Sequence, residues 1–229
     1  MGLFNFSELV PWLEYLVKGT GVTLLIAFVS VVFGIIIGIV LVILGKQKFS
    51  NIFVKGYIDL FRGTPLLLQI ATIYYAIPQL FNRFFNNVLE YDVSFSLDAL
   101  LAVFIAFSLN SGAYISEIIR SGINSVDNGE LEAAHALGIS KFHMYKDIIL
   151  PTAFRNSFPA LMNELITLIK ETSIVGMIGI ADLFRRQQIV TGQTYLYLET
   201  LLAIGVIYYV IIKILSIAAR KFEVMMQHG

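Results

Sequence analysis

The chain has 229 residues, of which 57% are hydrophobic and only 14% charged, with a mean hydropathy of +0.79. Soluble domains carry about 25% charged residues, so this composition excludes an ordinary water-soluble globule and points to a polytopic membrane protein. Lys+Arg and Asp+Glu balance at 16 each, which leaves no basic footprint for nucleic acid; the absence of cysteine excludes disulfides, thiolate metal sites and cysteine nucleophiles.

The length favours one domain, residues 1–229, and the patterning predicts an all-α fold with five membrane-spanning helices. The opening MGLFNFSELVPWLEYL lacks a basic n-region, so no cleavable signal peptide is expected. The first span runs from about Tyr15 to Leu44, and its charge-free core is long enough for a hydrocarbon layer of about 30 Å. Gly34 and Gly38 within it have the spacing of a close helix crossing. A short polar stretch with Lys46, Lys48, Lys55 and Arg62 follows. Thr64 is the expected N-cap and Pro65 the first residue of a second span that reaches Phe85, with a kink at Pro78.

A short polar loop, Asn82 to Ser96, leads to the third span, about Leu97 to Ile119. The fourth, about Pro159 to Ile180, is the least apolar, since Glu164, Lys170 and Glu171 fall inside it. Asp182 to Gln193 reads as a second polar loop, and the fifth span runs from about Tyr195 to Ala219. With the N-terminus outside, ten Lys/Arg fall in cytoplasmic segments against four in outer ones, which is the orientation the positive-inside rule selects.

Between the third and fourth spans lies DNGELEAAHALGISKFHMYKDIILP, residues 127–151, longer than a connection requires. Asp127 or Asn128 caps a short helix with Glu130 and Glu132 in its first turn. Gly138 then ends it as a C′ glycine, Ser140 caps a second helix, and Pro151 helps to end that one. The stretch therefore reads as helix, glycine turn, helix, facing the cytoplasm. Its apolar residues Leu131, Ala134, Leu137, Phe142, Tyr145 and Ile149 need a surface to cover them. Packing on the chain's own helices suits Ile148 and Leu150 better than Ala133, Ala134, His135 and Leu137 at the tip.

Glu132-Ala133-Ala134, Gly138 six residues after the glutamate, and the closing Ile148-x-Leu150-Pro151 resemble the EAA loop of bacterial ABC-importer permeases. Phe61-Arg62-Gly63-Thr64-Pro65, Ser116-Glu117-Ile118-Ile119-Arg120-Ser121-Gly122-Ile123 and Lys170-Glu171-Thr172-Ser173 resemble the polar amino-acid subfamily (histidine, glutamine and arginine type) in the same order. Glu171 stands where that family often has aspartate, and His135 is unusual in the loop. The resemblance implies a multi-pass permease of the bacterial cytoplasmic membrane that takes up polar amino acids by alternating access. It implies two copies of a partner ATPase, a second permease subunit (a homodimer first, a heterodimer as the variant) and an extracellular or periplasmic solute-binding protein. The EAA loop would be the coupling helix, with Glu132, Ala133, Ala134, Leu137 and Gly138 at the joint. No cofactor is expected on this chain: it has no G-x-x-x-x-G-K-[ST] loop, so ATP and Mg would sit on the partner.

Ionisable groups inside spans are costly and default to function. Asp98, Glu199, Glu164 and Asn163, with Ser111 and Tyr114 as donors, are the substrate candidates; Lys170, Glu171 and Arg62 are assigned to gating or structure. Asp98 and Glu199, both near outer helix ends, favour a basic amino acid, with glutamine or glutamate as the alternative. An ion-gradient carrier is the rival outside the ATP-driven class. An intramembrane enzyme is disfavoured: His135 and His143 come without HExxH or GxSxG, and no metal site is expected.

Overall fold

In a computed structural model of the chain, residues 5–47 and 50–228 are described, with side chains as far as Met226. Lys48, counted above among the inner positive charges, lies outside them. Every regular element among the described residues is helical. Among the described residues three helices are long and apolar enough to cross a membrane: Phe6–Leu44, Ala99–Asn124 and Tyr197–Met226.

Helix α1 (Phe6–Leu9) and one 3-10 turn lead into α2 (Leu13–Leu44), which packs along α6 (Ala99–Asn124). The Gly34–Gly38 pair is where they cross. A Cβ on Gly34 would lie 2.9 Å from Ser111 Oγ, and one on Gly38 2.9 Å from Ile115 Cγ2. The opposite face of α2 leaves Phe28, Phe33, Ile36 and Ile39 exposed, as a lipid-facing surface must be.

The polar stretch after α2 is a helix, α3 (Ser50–Gly63). Val54 and Ile58 are buried against Leu41, and Tyr57 donates to the Leu109 carbonyl at 2.7 Å. The sequence reading missed it because the lysines hide apolar residues at helical spacing (54, 57, 58, 61). Thr64 does not cap the next helix. Its hydroxyl donates back to the Leu60 carbonyl, and Pro65 takes the extended N-cap conformation. The side chain that satisfies this junction is Gln69, whose amide donates to Phe61 O and Thr64 O.

The second apolar segment is broken into α4 (Leu66–Ala71), a π turn (Thr72–Ala76) and α5 (Ile77–Asn87). The turn ends two residues before Pro78. Proline lacks an N–H and its ring crowds the carbonyl four residues back; the wider turn gives that carbonyl room. A second π turn, Met144–Ile149, ends two residues before Pro151 in the same way. Pro151 therefore does not stop its helix. Helix α8 (Lys141–His143) runs through the π turn into α9 (Leu150–Glu171), which starts and ends about two and a half turns toward the N-terminus of the expected span.

Beyond α5 the chain is extended and held to it. Asn82 both donates to and accepts from the backbone of Phe95, and Asn86 does the same with Val93. Four residues of helix advance about 6 Å and two of strand about 6.7 Å, so the two amides match the extended chain. Asp182 to Gln193, expected as a loop, is instead the start and body of α10 (Leu183–Thr194), capped by Asp182 and wedged between α2 and α11 (Tyr197–His228). Leu183 and Val190 are buried there, and a Cβ on Gly19 would lie 2.7 Å from Leu183 Cα. The main core joins α2, α4, α6 and α9 through Ile26, Ile70, Phe107, Ile115 and Leu168.

Candidate functional site

The connection between α6 and α9 is an elbow with its own small core. Asp127 caps α7 (Asn128–Ala136), accepting from Gly129 N at 2.7 Å and Glu130 N at 3.3 Å. At the other end Gly138 N bonds His135 O and Ile139 N bonds Ala134 O, which is the Schellman pairing, with Gly138 at φ +73°. Ser140 caps α8 by accepting from His143 N. Ala134 is 3% exposed and packs with Val126, Met144 and Ile149, flanked by Leu131 and Ile148. Ala134 thus belongs to the elbow's interior, against the sequence reading, and Leu150, expected to pack inward, is exposed. What remains outside is Glu132, Ala133, Leu137 and Phe142, the last two 79% and 68% exposed.

A second constellation lies between α6 and α9. Ser111 donates to Glu164 Oε1 at 2.9 Å and ties the two helices together. Further toward the elbow, a Cβ on Gly122 would meet Ser157 Oγ at 1.9 Å and Ala153 O at 2.7 Å, so glycine is required at that crossing. Arg62, from the end of α3, lies 5.1 Å from the Tyr114 ring centroid and 3.9 Å from Glu117; Arg120 reaches the other oxygen of Glu117 at 3.6 Å. Their spacing of three along one helix is enough to bring Glu117 and Arg120 together; the arrival of Arg62 depends on α3, which the sequence did not reveal.

The remaining candidates are dispersed. Asp98 is exposed and caps α6, accepting from Leu101 N at 3.0 Å. Glu199 is 8% exposed and accepts from Asn5 N at 2.9 Å, tying the N-terminal segment to α11. Both carboxylates are committed to backbone N–H groups, and they do not join Ser111 and Glu164. Asn163 and Lys170 are exposed on α9 and Glu171 half-buried; no Lys170–Glu171 ion pair forms among the described residues.

The long apolar helices define a membrane protein, with a carboxylate–hydroxyl contact between two of them and a capped elbow that has its own small core. Residues 18–226 match the family of binding-protein-dependent transport system inner membrane components, and the chain belongs to it. A Rickettsia conorii permease protein assigned to a glutamine transport system is 45% identical over 215 residues, 93% of each chain. The arginine transport system permease protein ArtQ of Bacillus subtilis is 42% identical over 221 residues, 96% of this chain and 95% of that one. The crystal structure of an amino acid ABC transporter with histidines superposes with a TM-score of 0.86 at 33% identity, covering 97% of this chain and 99% of the other.

Proposed function

We propose that this chain is the permease subunit of an ATP-driven importer for polar amino acids, with five spans, the N-terminus outside and the elbow in the cytoplasm. The observation that carries the reading is the elbow. Its fold is complete without help, yet Leu137 and Phe142 stay in water beside Ala133 and Glu132. That is the anatomy of a surface awaiting a partner. A separate ATPase dimer supplies the partner, binding ATP and Mg and moving α6 and α9 through the elbow. A second permease subunit, first of all another copy, faces the polar side of α9, and a solute-binding protein delivers the amino acid from outside. The named relatives of similar identity serve glutamine and arginine systems, which supports the amino-acid class and leaves the side chain to experiment.

Basic amino acids are the first candidates, because Glu164 places a carboxylate between α6 and α9; glutamine or glutamate is the alternative. The test is reconstitution with the ATPase and binding protein, scored as ATP hydrolysis and uptake against a panel of amino acids. Uptake that depends on an ion gradient and ignores ATP overturns the importer. In the same assay Glu164→Gln should weaken uptake of arginine or lysine more than that of glutamine; equal loss for both removes the preference for basic substrates.

A further inference from the structure

A cavity of about 340 Å³ opens beside the α6–α9 crossing, lined by Arg62, Tyr114, Glu117, Ser121, Ser125 and Asn156 among others. Its volume is at the small end of ligand sites, right for one small metabolite. It is separate from the Ser111–Glu164 pair and lies on the elbow side of it. Asn156, in its wall, donates to Ser125 Oγ, and Val126, the next residue, is part of the elbow's core.

The charges in this cavity are underused. Glu117 lies 3.9 Å from Arg62 Nη1 and 3.6 Å from Arg120 Nη1. A direct charge-assisted hydrogen bond would bring these atoms to about 2.7–2.9 Å. Arg62 is held in place by the Tyr114 ring, so its planar fork of donors is oriented without being consumed by Glu117. Arg62 and Glu117 line the cavity and Arg120, outside the lining, stands on Glu117's other oxygen, so the cluster of three is net positive, which favours a ligand that brings a carboxylate of its own. An α-amino acid fits both signs: its carboxylate onto the Arg62 fork, its ammonium onto Glu117, with Ser121 and Asn156 as neutral polar walls.

We propose that this cavity is a release-side binding site for the zwitterionic head of an α-amino acid, recognising the backbone groups and leaving the side chain unread. It rests on the importer reading for its orientation, and its position against the base of the elbow places the departing amino acid next to the part that meets the ATPase.

The natural absence of cysteine gives a direct test. Ser121→Cys, in an otherwise unchanged chain assembled with its ATPase, is labelled with a membrane-impermeant charged thiol reagent on either face of sealed vesicles. Co-purification with the ATPase establishes that the variant is assembled. Labelling from the cytoplasmic face is expected, slowed about tenfold by glutamine or arginine at ten times its dissociation constant. The matching amine without a carboxylate, and the carboxylate without an amine, should protect poorly. Adding Arg62→Gln should raise the protecting concentration roughly tenfold or more, as expected for loss of a charge-assisted bond. Cytoplasmic labelling that no amino acid slows, or protection that survives Arg62→Gln, overturns the site and leaves the importer standing, with Arg62, Glu117 and Arg120 as structural ties between α3 and α6. Labelling only from the outer face overturns the orientation itself.

Discussion

The elbow and α10 are built from the same local parts and end in opposite states. Each is a short helix capped by an aspartate, Asp127 in one and Asp182 in the other, and each ends in a residue with left-handed backbone. In α10 the apolar residues Leu183 and Val190 are fully buried between α2 and α11, and the residue after the helix is Tyr195 at φ +59°. In the elbow the corresponding turn residue is Gly138, and Leu137 beside it projects into solvent. A tyrosine in the left-handed region costs about 1–2 kcal/mol that glycine does not. The packed body can carry that cost; a projecting turn with only a small core under it has far less to set against it. One helix is part of the body and the other is a handle on it.

Breaking the handle's turn should have the largest effect. Proline holds φ near about −65° and cannot occupy Gly138's φ of +73°. Gly138→Pro should therefore dismantle the elbow, abolish co-purification with the ATPase and reduce uptake to background. Retained uptake would reduce the elbow to a connector. Leu137→Asp leaves the turn intact and changes only the outward surface. It should weaken ATPase association about thirtyfold, the size of an interface hot spot near 2 kcal/mol, with the melting temperature of the isolated chain unchanged.

The two caps separate handle from body more finely. Asp127→Ala should cost about 1 kcal/mol of elbow stability and roughly fivefold in ATPase association. Asp182→Ala should instead lower the melting temperature, because Asp182 is buried at the foot of α10, and spare ATPase affinity. If both caps had the same signature, the division between the regions would fail. The smallest effect belongs to Tyr195→Gly. The side chain is largely exposed and its backbone strained, so relief of φ should stabilise the chain by at most about 1 kcal/mol, read as a slight rise in melting temperature.

The handle was legible because its signals are local. An acceptor side chain before a helix, a glycine after it and a serine before the next act within one turn of backbone, and no distant residue changes what they do. The Gly34–Gly38 crossing was legible for the same reason, as spacing on a single helix face. Pro151 was misread because a ring clash can be relieved in two ways, by ending a helix or by widening it to a π turn. Which occurs depends on what the following segment packs against. Thr64 looked like a cap by position, yet Gln69, five residues on, satisfies that junction.

By itself, then, the sequence determined the all-helical membrane class, the crossing at Gly34 and Gly38, the Asp127 cap and the Gly138 turn, since hydropathy, small size and backbone preference belong to single residues or single turns. Tertiary structure alone decided that Glu199 spends its carboxylate on Asn5, and that Ala134 turns inward while Leu137 does not. It also decided that Arg62 arrives from α3 to share Glu117 with Arg120. A charge acquires its role from the groups that fold against it, and those lie tens to nearly two hundred residues away along the chain.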